Sequence, residues 1–275
     1  MPMLNWRKLC SRAGSFGLLS VVAGTVMAAD CAPRTLHWQA SQVSNRSDWN
    51  ERDSAGRKLV QESGLLHGAE LSADLHCPQW SFSAALSQLS GTRWYDGQTS
   101  TGVPAISTSE VHRSDGHLQV GFNLTPEWQL LGRLAQVALW RNTASIASAS
   151  GFSERFDWTL LSVGTQWSSA FGPGQLSLSA WLGKPLSSRM RIDLPGRDPT
   201  ALQPGSTLST ELSAGWRAPL VAPWHWQAEL RYRRTDMNQG APAFITRGGT
   251  QVGVAFQPAT SMVDRAALIS ISRDF

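Results

Sequence analysis

Beyond its first thirty residues this chain lacks any run approaching the ~20 consecutive apolar residues that a membrane-spanning helix needs. If the chain crosses a bilayer, it must do so with strands. Surplus charge is lacking as well. The formal net charge is +4, but Arg7, Lys8 and Arg12 fall in an N-terminal leader that carries no Asp or Glu, so Lys plus Arg drop from 24 to 21 against 20 acids. A net charge near +1 gives nucleic-acid binding no electrostatic support. Cysteine is scarce, three in 275 residues, and Cys10 lies in the leader, which leaves Cys31 and Cys77.

The leader has basic residues before the apolar run from Phe16 to Val26 and ends in Met27-Ala28-Ala29. This is the pattern of a secretory signal peptide. The expected organisation is a signal over residues 1–29 and one domain over 30–275, with no linker or long repeat. In an oxidising periplasm the isolated pair Cys31 and Cys77 reads as one disulfide. Asp30, where lipoproteins carry a small residue, argues against lipidation of Cys31.

What the chain does have is period two. Leu118, Val120, Phe122 and Leu124 alternate with His117, Gln119, Gly121 and Asn123; Trp224, Trp226, Ala228, Leu230 and Tyr232 oppose His225, Gln227, Glu229, Arg231 and Arg233. Such alternation marks strands with one apolar face. A soluble sandwich would alternate too, so the connections must decide. Short turns at Cys77-Pro78, Thr125-Pro126-Glu127, Gly172-Pro173-Gly174 and Pro219 to Pro223 interleave with longer polar stretches near Asn45 to Gly56, Asp96 to Asp115, Asn142 to Ser153 and Asp193 to Ser206. Short turns at one end and long loops at the other are the habit of outer-membrane barrels. The 13 tryptophans agree. Trp80, Trp128, Trp167, Trp216, Trp224 and Trp226 lie beside short turns, and Trp94, Tyr95, Trp140 and Trp158 near long loops, as two aromatic girdles would require.

The expected fold is therefore all-β, a transmembrane antiparallel up-and-down β-barrel. Eleven candidate strands can be read, and single-chain bacterial barrels are even-numbered. Ten is preferred, with Gln251 to Phe256 assigned to an excursion above the membrane, and twelve is the alternative. The last strand, with Ala267, Ile269, Ile271 and Phe275 on one face, resembles the C-terminal signature strand of bacterial outer-membrane proteins, which implies delivery by the barrel-assembly machinery. Arg273 departs from that pattern.

The segment Gly56-Arg57-Lys58-Leu59-Val60-Gln61, followed by a long strand, a short turn and the strand Trp80 to Trp94, resembles the early part of the omptins. The resemblance implies a ten-stranded barrel with a protease site on its outward rim, made of an acidic pair facing an Asp-His couple. Tyr95-Asp96-Gly97 offers one carboxylate where the pair would fall. The stretch Arg189 to Asp198 offers Asp193 and Asp198 without a histidine.

The inward faces are expected to carry Glu62, Glu70, Asp74, Arg133, Glu211, Glu229, Arg231 and Arg233. Charges in a narrow barrel must be paired or watered. A closed, salt-bridged interior is preferred, with a selective pore as the alternative. Glu211, Glu229, Arg231 and Arg233 are singled out as a shared lumen network. Glu110, His112, Ser114 and Asp115 form the one imaginable hydrolase cluster, without a nucleophile-elbow signature. His37, His117 and His225, inward on separate strands, read as hydrogen-bonded fillers rather than metal ligands. The reading is a monomeric, non-enzymatic barrel (channel, surface-binding or structural envelope protein) of the Gram-negative outer membrane, exported through the periplasm. No cofactor, metal or catalytic residue is assigned, and the partners are outer-membrane lipid and lipopolysaccharide. The alternative is an omptin-like protease or lipid-modifying hydrolase at the rim.

Overall fold

A computed structural model describes residues 35–98, 102–147 and 149–275. The expected leader and Cys31 lie outside them. In chain order the strands are β1 (Thr35–Arg52), β2 (Lys58–His76), β3 (Trp80–Gln98), β4 (Pro104–Asn123), β5 (Trp128–Thr143), β6 (Phe152–Phe171), β7 (Gly174–Asp193), β8 (Thr200–Leu202), β9 (Thr207–Val221), β10 (Trp224–Met237), β11 (Ala243–Arg247), β12 (Thr250–Ala255) and β13 (Ala259–Asp274). Each long strand pairs antiparallel with its neighbours, β7 pairs with β9, and β13 pairs with both β10 and β1. The result is a closed ten-stranded barrel, which leaves no free edge in its wall. The short β8 adds to the outer end of β7, and β11 and β12 form a separate hairpin. The segment Gln251 to Phe256 is thus an excursion between two wall strands.

Four tight turns close one end, at residues 77–79, 124–127, 172–173 and 222–223. Gly172 takes φ 59°, a left-handed conformation that favours glycine. Wall strands run from 14 to 20 residues, against the ~9–11 that cross a bilayer. The walls therefore stand well above the membrane on the long-loop side.

This height corrects the expected loops. Residues 45–52, 96–98 and 104–115 continue β1, β3 and β4. Above the lipid the outward face of a strand is polar, and its inward face mixes buried polar side chains with apolar ones. In β1 the buried Asn45 and Ser47 alternate with the outward Arg46 and Asp48, so no apolar stripe reveals the strand. The poorer alternation in β5 and β6 has other causes. In β5 Leu131, Val137 and Leu139 are buried inside the barrel while the outward Leu130, Leu134, Ala138 and Trp140 are also apolar; in β6 the contrast inverts along the strand, with Phe156 and Trp158 inward against outward Arg155 and Asp157, and Leu161 and Val163 outward.

The outward face forms an apolar belt. Trp38, Trp80, Trp128 and Trp224 are exposed near the turn end, Trp128 pairs with Trp167 across β5 and β6, and Trp216 meets Trp226 edge-on at 5.0 Å. Arg273 is accommodated by lying over Trp224 and Phe275, at 5.5 and 4.6 Å from their ring centres. Towards the loop end Trp94 and Trp140 face outwards, but Tyr95 and Trp158 do not. They are buried in the interior, so the upper girdle is sparser than the sequence implied.

Candidate functional site: a lumen in two layers

Inside the barrel the turn-end half is hollow and polar and the loop-end half is filled. The lower half encloses a cavity of about 260 Å³ walled largely by serine and glutamine, among them Ser72, Ser83, Ser177, Gln129, Gln166 and Gln227. At its mouth Arg217 donates to Asp274 at 2.7 Å and lies 3.0 Å from His225 Nδ1, and Asp274 is 2.6 Å from His37 Nδ1. His117 lines the cavity above. The three inward histidines are thus where the alternation put them, and His37 and His225 share one carboxylate. Among the described residues no group of three or more His, Cys, Asp and Glu is arranged to hold a metal ion.

The ceiling of the cavity is the predicted charge network. Arg233 Nε donates to Glu211 at 2.7 Å, its partner in the β9–β10 register, and Arg231 Nε donates to Glu229 at 3.0 Å. The structure adds groups from the far wall: Arg133 to Glu211 at 2.9 Å, Arg231 to Glu70 at 3.2 Å, and Arg233 to Asp115 at 3.5 Å. Arg133 also stacks 3.8 Å above the Trp181 ring. Alternation places Glu62, Glu70 and Arg133 inside; Asp115 gives no such signal, because the polar outer half of β4 hides its period.

Above the ceiling the ion pairs continue into an apolar layer. Arg113 bridges Asp115 at 3.0 Å and Asp264, and Asp264 accepts from Ser47 at 2.6 Å and Asn45 at 3.1 Å. Ser47 accepts from Arg93 at 2.6 Å, and Arg93 faces Glu62 at 3.6 Å. Arg141 then contacts Glu62, Glu51 and Glu154, and lies over the Trp49 ring at 4.7 Å. Around this line pack Val43, Leu66, Val111, Leu139, Phe156, Met262 and Leu268, all buried. Sequence reasoning missed Glu51, Arg93, Arg113, Arg141, Glu154 and Asp264. Their one signal was parity, as in Arg113, four residues from His117, and Arg141, eight from Arg133, but for most of them it required strands longer than the apolar pattern showed.

The rim candidates come apart. Asp96 faces outwards and is bound by Lys58 Nζ at 2.6 Å. Asp193 is exposed beside Arg191 at 3.0 Å. Asp198 accepts the Thr246 hydroxyl at 2.7 Å and the N–H groups of Gly249 and Gly248 at 3.0 and 3.2 Å, which fixes the β11–β12 hairpin to the preceding loop. Those donors, Gly249 N–H foremost, hold its carboxyl below the ordinary range. The expected grouping of Glu110, His112, Ser114 and Asp115 is undone by the strand itself. The first three face outwards and Asp115 inwards, because consecutive residues of a strand point to opposite faces.

Comparison with solved structures assigns the fold. The outer membrane protease OmpT from Escherichia coli superposes with a TM-score of 0.64 at 10% identity, over 89% of this chain and 98% of that one. The β domain of the Bordetella autotransporter BrkA gives 0.45 at 11% identity over 88% and 100%, and the translocator domain of NalP from Neisseria meningitidis 0.44 at 9% over 86% and 88%. No family model and no curated protein matches the sequence. The chain has the fold of the ten-stranded outer-membrane barrels, and at such identities the likeness is one of fold alone.

Proposed function

We propose that this protein is a non-enzymatic barrel of the Gram-negative outer membrane, exported through the periplasm, whose lumen is a closed structural core rather than a pore. One observation carries the reading: three groups of ion pairs, Glu229–Arg231–Glu70, Arg133–Glu211–Arg233–Asp115–Arg113–Asp264 and Arg93–Glu62–Arg141 with Glu51 and Glu154, the last two joined through Ser47, occupy the lumen up to a layer of buried apolar side chains. A hydrated ion passing that layer would have to part charges that the low-dielectric surroundings hold together. Function then lies at the surfaces: lipid and lipopolysaccharide around the belt, and assembly machinery at the strand ending in Phe275.

The refolded protein in planar bilayers should give no regular conductance steps. Reproducible, ion-selective steps would overturn the closed-lumen reading. The Cys31–Cys77 disulfide belongs to the same proposal. It is supported by Cys77 following His76, which pairs with Thr35 at the start of β1, four residues after Cys31. A non-reducing peptide map of mature protein should join the two cysteine peptides; two alkylated thiols would refute the bond.

A further inference from the structure

At its loop end the lumen holds more buried carboxylates than guanidinium groups to meet them. Glu51 of β1, Glu62 of β2, Arg93 and Tyr95 of β3, Arg141 of β5 and Glu154 of β6 stand together there, every one buried. To the same height β4, β7, β10 and β13 bring the uncharged Ser109, Ile192, Met237 and Thr260. Arg155 and Arg191 pair across β6 and β7 on the outside of the wall, so this level lies above the acyl chains. Val60, Tyr95 and Ala105, with Ile146 and Phe152 packed on them, form an apolar cap beside the carboxylates.

The charges do not balance. Arg93 faces Glu62 at 3.6 Å, and Glu62 also accepts from the Ser109 hydroxyl at 2.8 Å. One layer down, Arg113 is taken up by Asp264 and Asp115. Arg141 is left with both Glu51 and Glu154, and their oxygens converge on one nitrogen: Glu51 Oε1 lies 3.0 Å from Arg141 Nη2, and Glu154 Oε2 contacts the same Nη2 and accepts from Nε at 2.6 Å. Two carboxylates on one guanidinium nitrogen, at 8 and 6% side-chain exposure, do not both stay ionised without water or a second cation. We propose that Glu51 and Glu154 share one proton, which keeps the top of the lumen neutral and dry, and that alkaline medium removes it and admits water beneath the cap. The two carboxyls titrate as a unit. The folded barrel then holds a proton that the unfolded chain has already released, so stability falls as pH rises through the titration of the pair. The proposal rests on the closed-lumen reading, and the two have separate readouts.

The test is infrared spectroscopy of the full-length protein in lipid vesicles, where the C=O stretch of a protonated carboxyl stands apart from the carboxylate and amide bands. At about pH 6, well above the ~4.3 of an ordinary Glu, the parent should show such a band, and by about pH 9 it should be gone. Neutralising either partner leaves the other a simple ion pair with Arg141, so Glu51→Gln and Glu154→Gln should each remove the band. In urea the unfolding midpoint of the parent should drop between the same two pH values, and the Gln variants should lose that dependence. A merely structural ion pair would instead leave the variants weaker at both, with the pH dependence of the parent intact, and that result would overturn the proposal. So would a band that survives both substitutions. Absence of the band in the parent at about pH 6 would refute the shared proton with no variant needed. Regular conductance steps would refute the closed lumen, whereas a non-conducting barrel without the band would refute the shared proton alone.

Discussion

The two halves of the lumen are built from the same alternating strands and reach opposite solutions. In the lower half the inward residues are largely serine, glutamine and histidine around a cavity of about 260 Å³; in the upper half they are leucine, valine, phenylalanine and methionine around buried guanidinium and carboxylate groups. Below, small polar side chains keep water as their partner and their hydrogen bonds are replaceable. Above, water is excluded, so each charge depends on a protein partner and each methylene on its neighbours. Loss of one group should therefore cost much in the upper half and little in the lower.

The sharpest break is Arg141→Met. It leaves Glu51, Glu62 and Glu154 facing one another in a dry interior, and should destabilise the barrel by about 3–5 kcal/mol in urea unfolding from lipid vesicles. A loss below about 1 kcal/mol would mean that water reaches this cluster. Leu139→Ala, in the apolar layer, should cost about 2–4 kcal/mol for the cavity it opens, whereas Ser177→Ala, on the cavity wall below, should lie within about 0.5 kcal/mol of the parent. Equal effects would abolish the distinction between the layers.

The ceiling between them should behave as an intermediate. Arg231 keeps Glu70 when Glu229 is neutralised, and the Glu229 and Arg231 side chains retain 14 and 20% of their exposure. Glu229→Gln should then cost about 1 kcal/mol rather than the full penalty of a buried orphan. Altered ion selectivity with unchanged stability would instead favour a watered pore.

The smallest effect concerns the hairpin. Asp198 has a folded pKa below its ordinary value of 3.8, so its stabilising contribution is present above that value and is lost as pH falls through the lowered one. Proteolysis in the β11–β12 segment should increase on acidification across that window, and Asp198→Asn should flatten the dependence. An unchanged pH profile in the variant would detach the hairpin from Asp198.

Legibility followed the lipid. Where strands cross the bilayer, one face must be apolar and the other polar, and the alternation at His117 to Leu124 or Trp224 to Arg233 locates both the strand and its inward charges. Glu211, Glu229, Arg231 and Arg233 were readable for that reason. Where β1 and β4 rise above the lipid the environment imposes no such contrast, and Glu51, Arg113 and Asp115 could not be told from loop residues. The omptin resemblance at Gly56 to Gln61 pointed to the barrel, and Asp96, bound to Lys58 on the outer wall, shows why it did not carry the site.

Local sequence was enough for an all-β chain, tight turns at one end and the inward face of charges such as Glu211 and Arg233, because a period of two and the chemistry of lipid are local constraints; it left ten or twelve crossings open. Only the closed tertiary structure decided which charges meet. Arg133 reaches Glu211 and Arg231 reaches Glu70 across the lumen, pairings fixed by the registers that accumulate around the barrel. Likewise, only closure stacks an apolar layer above a polar, hollow one, since the side chains that fill it come from strands distant in the chain.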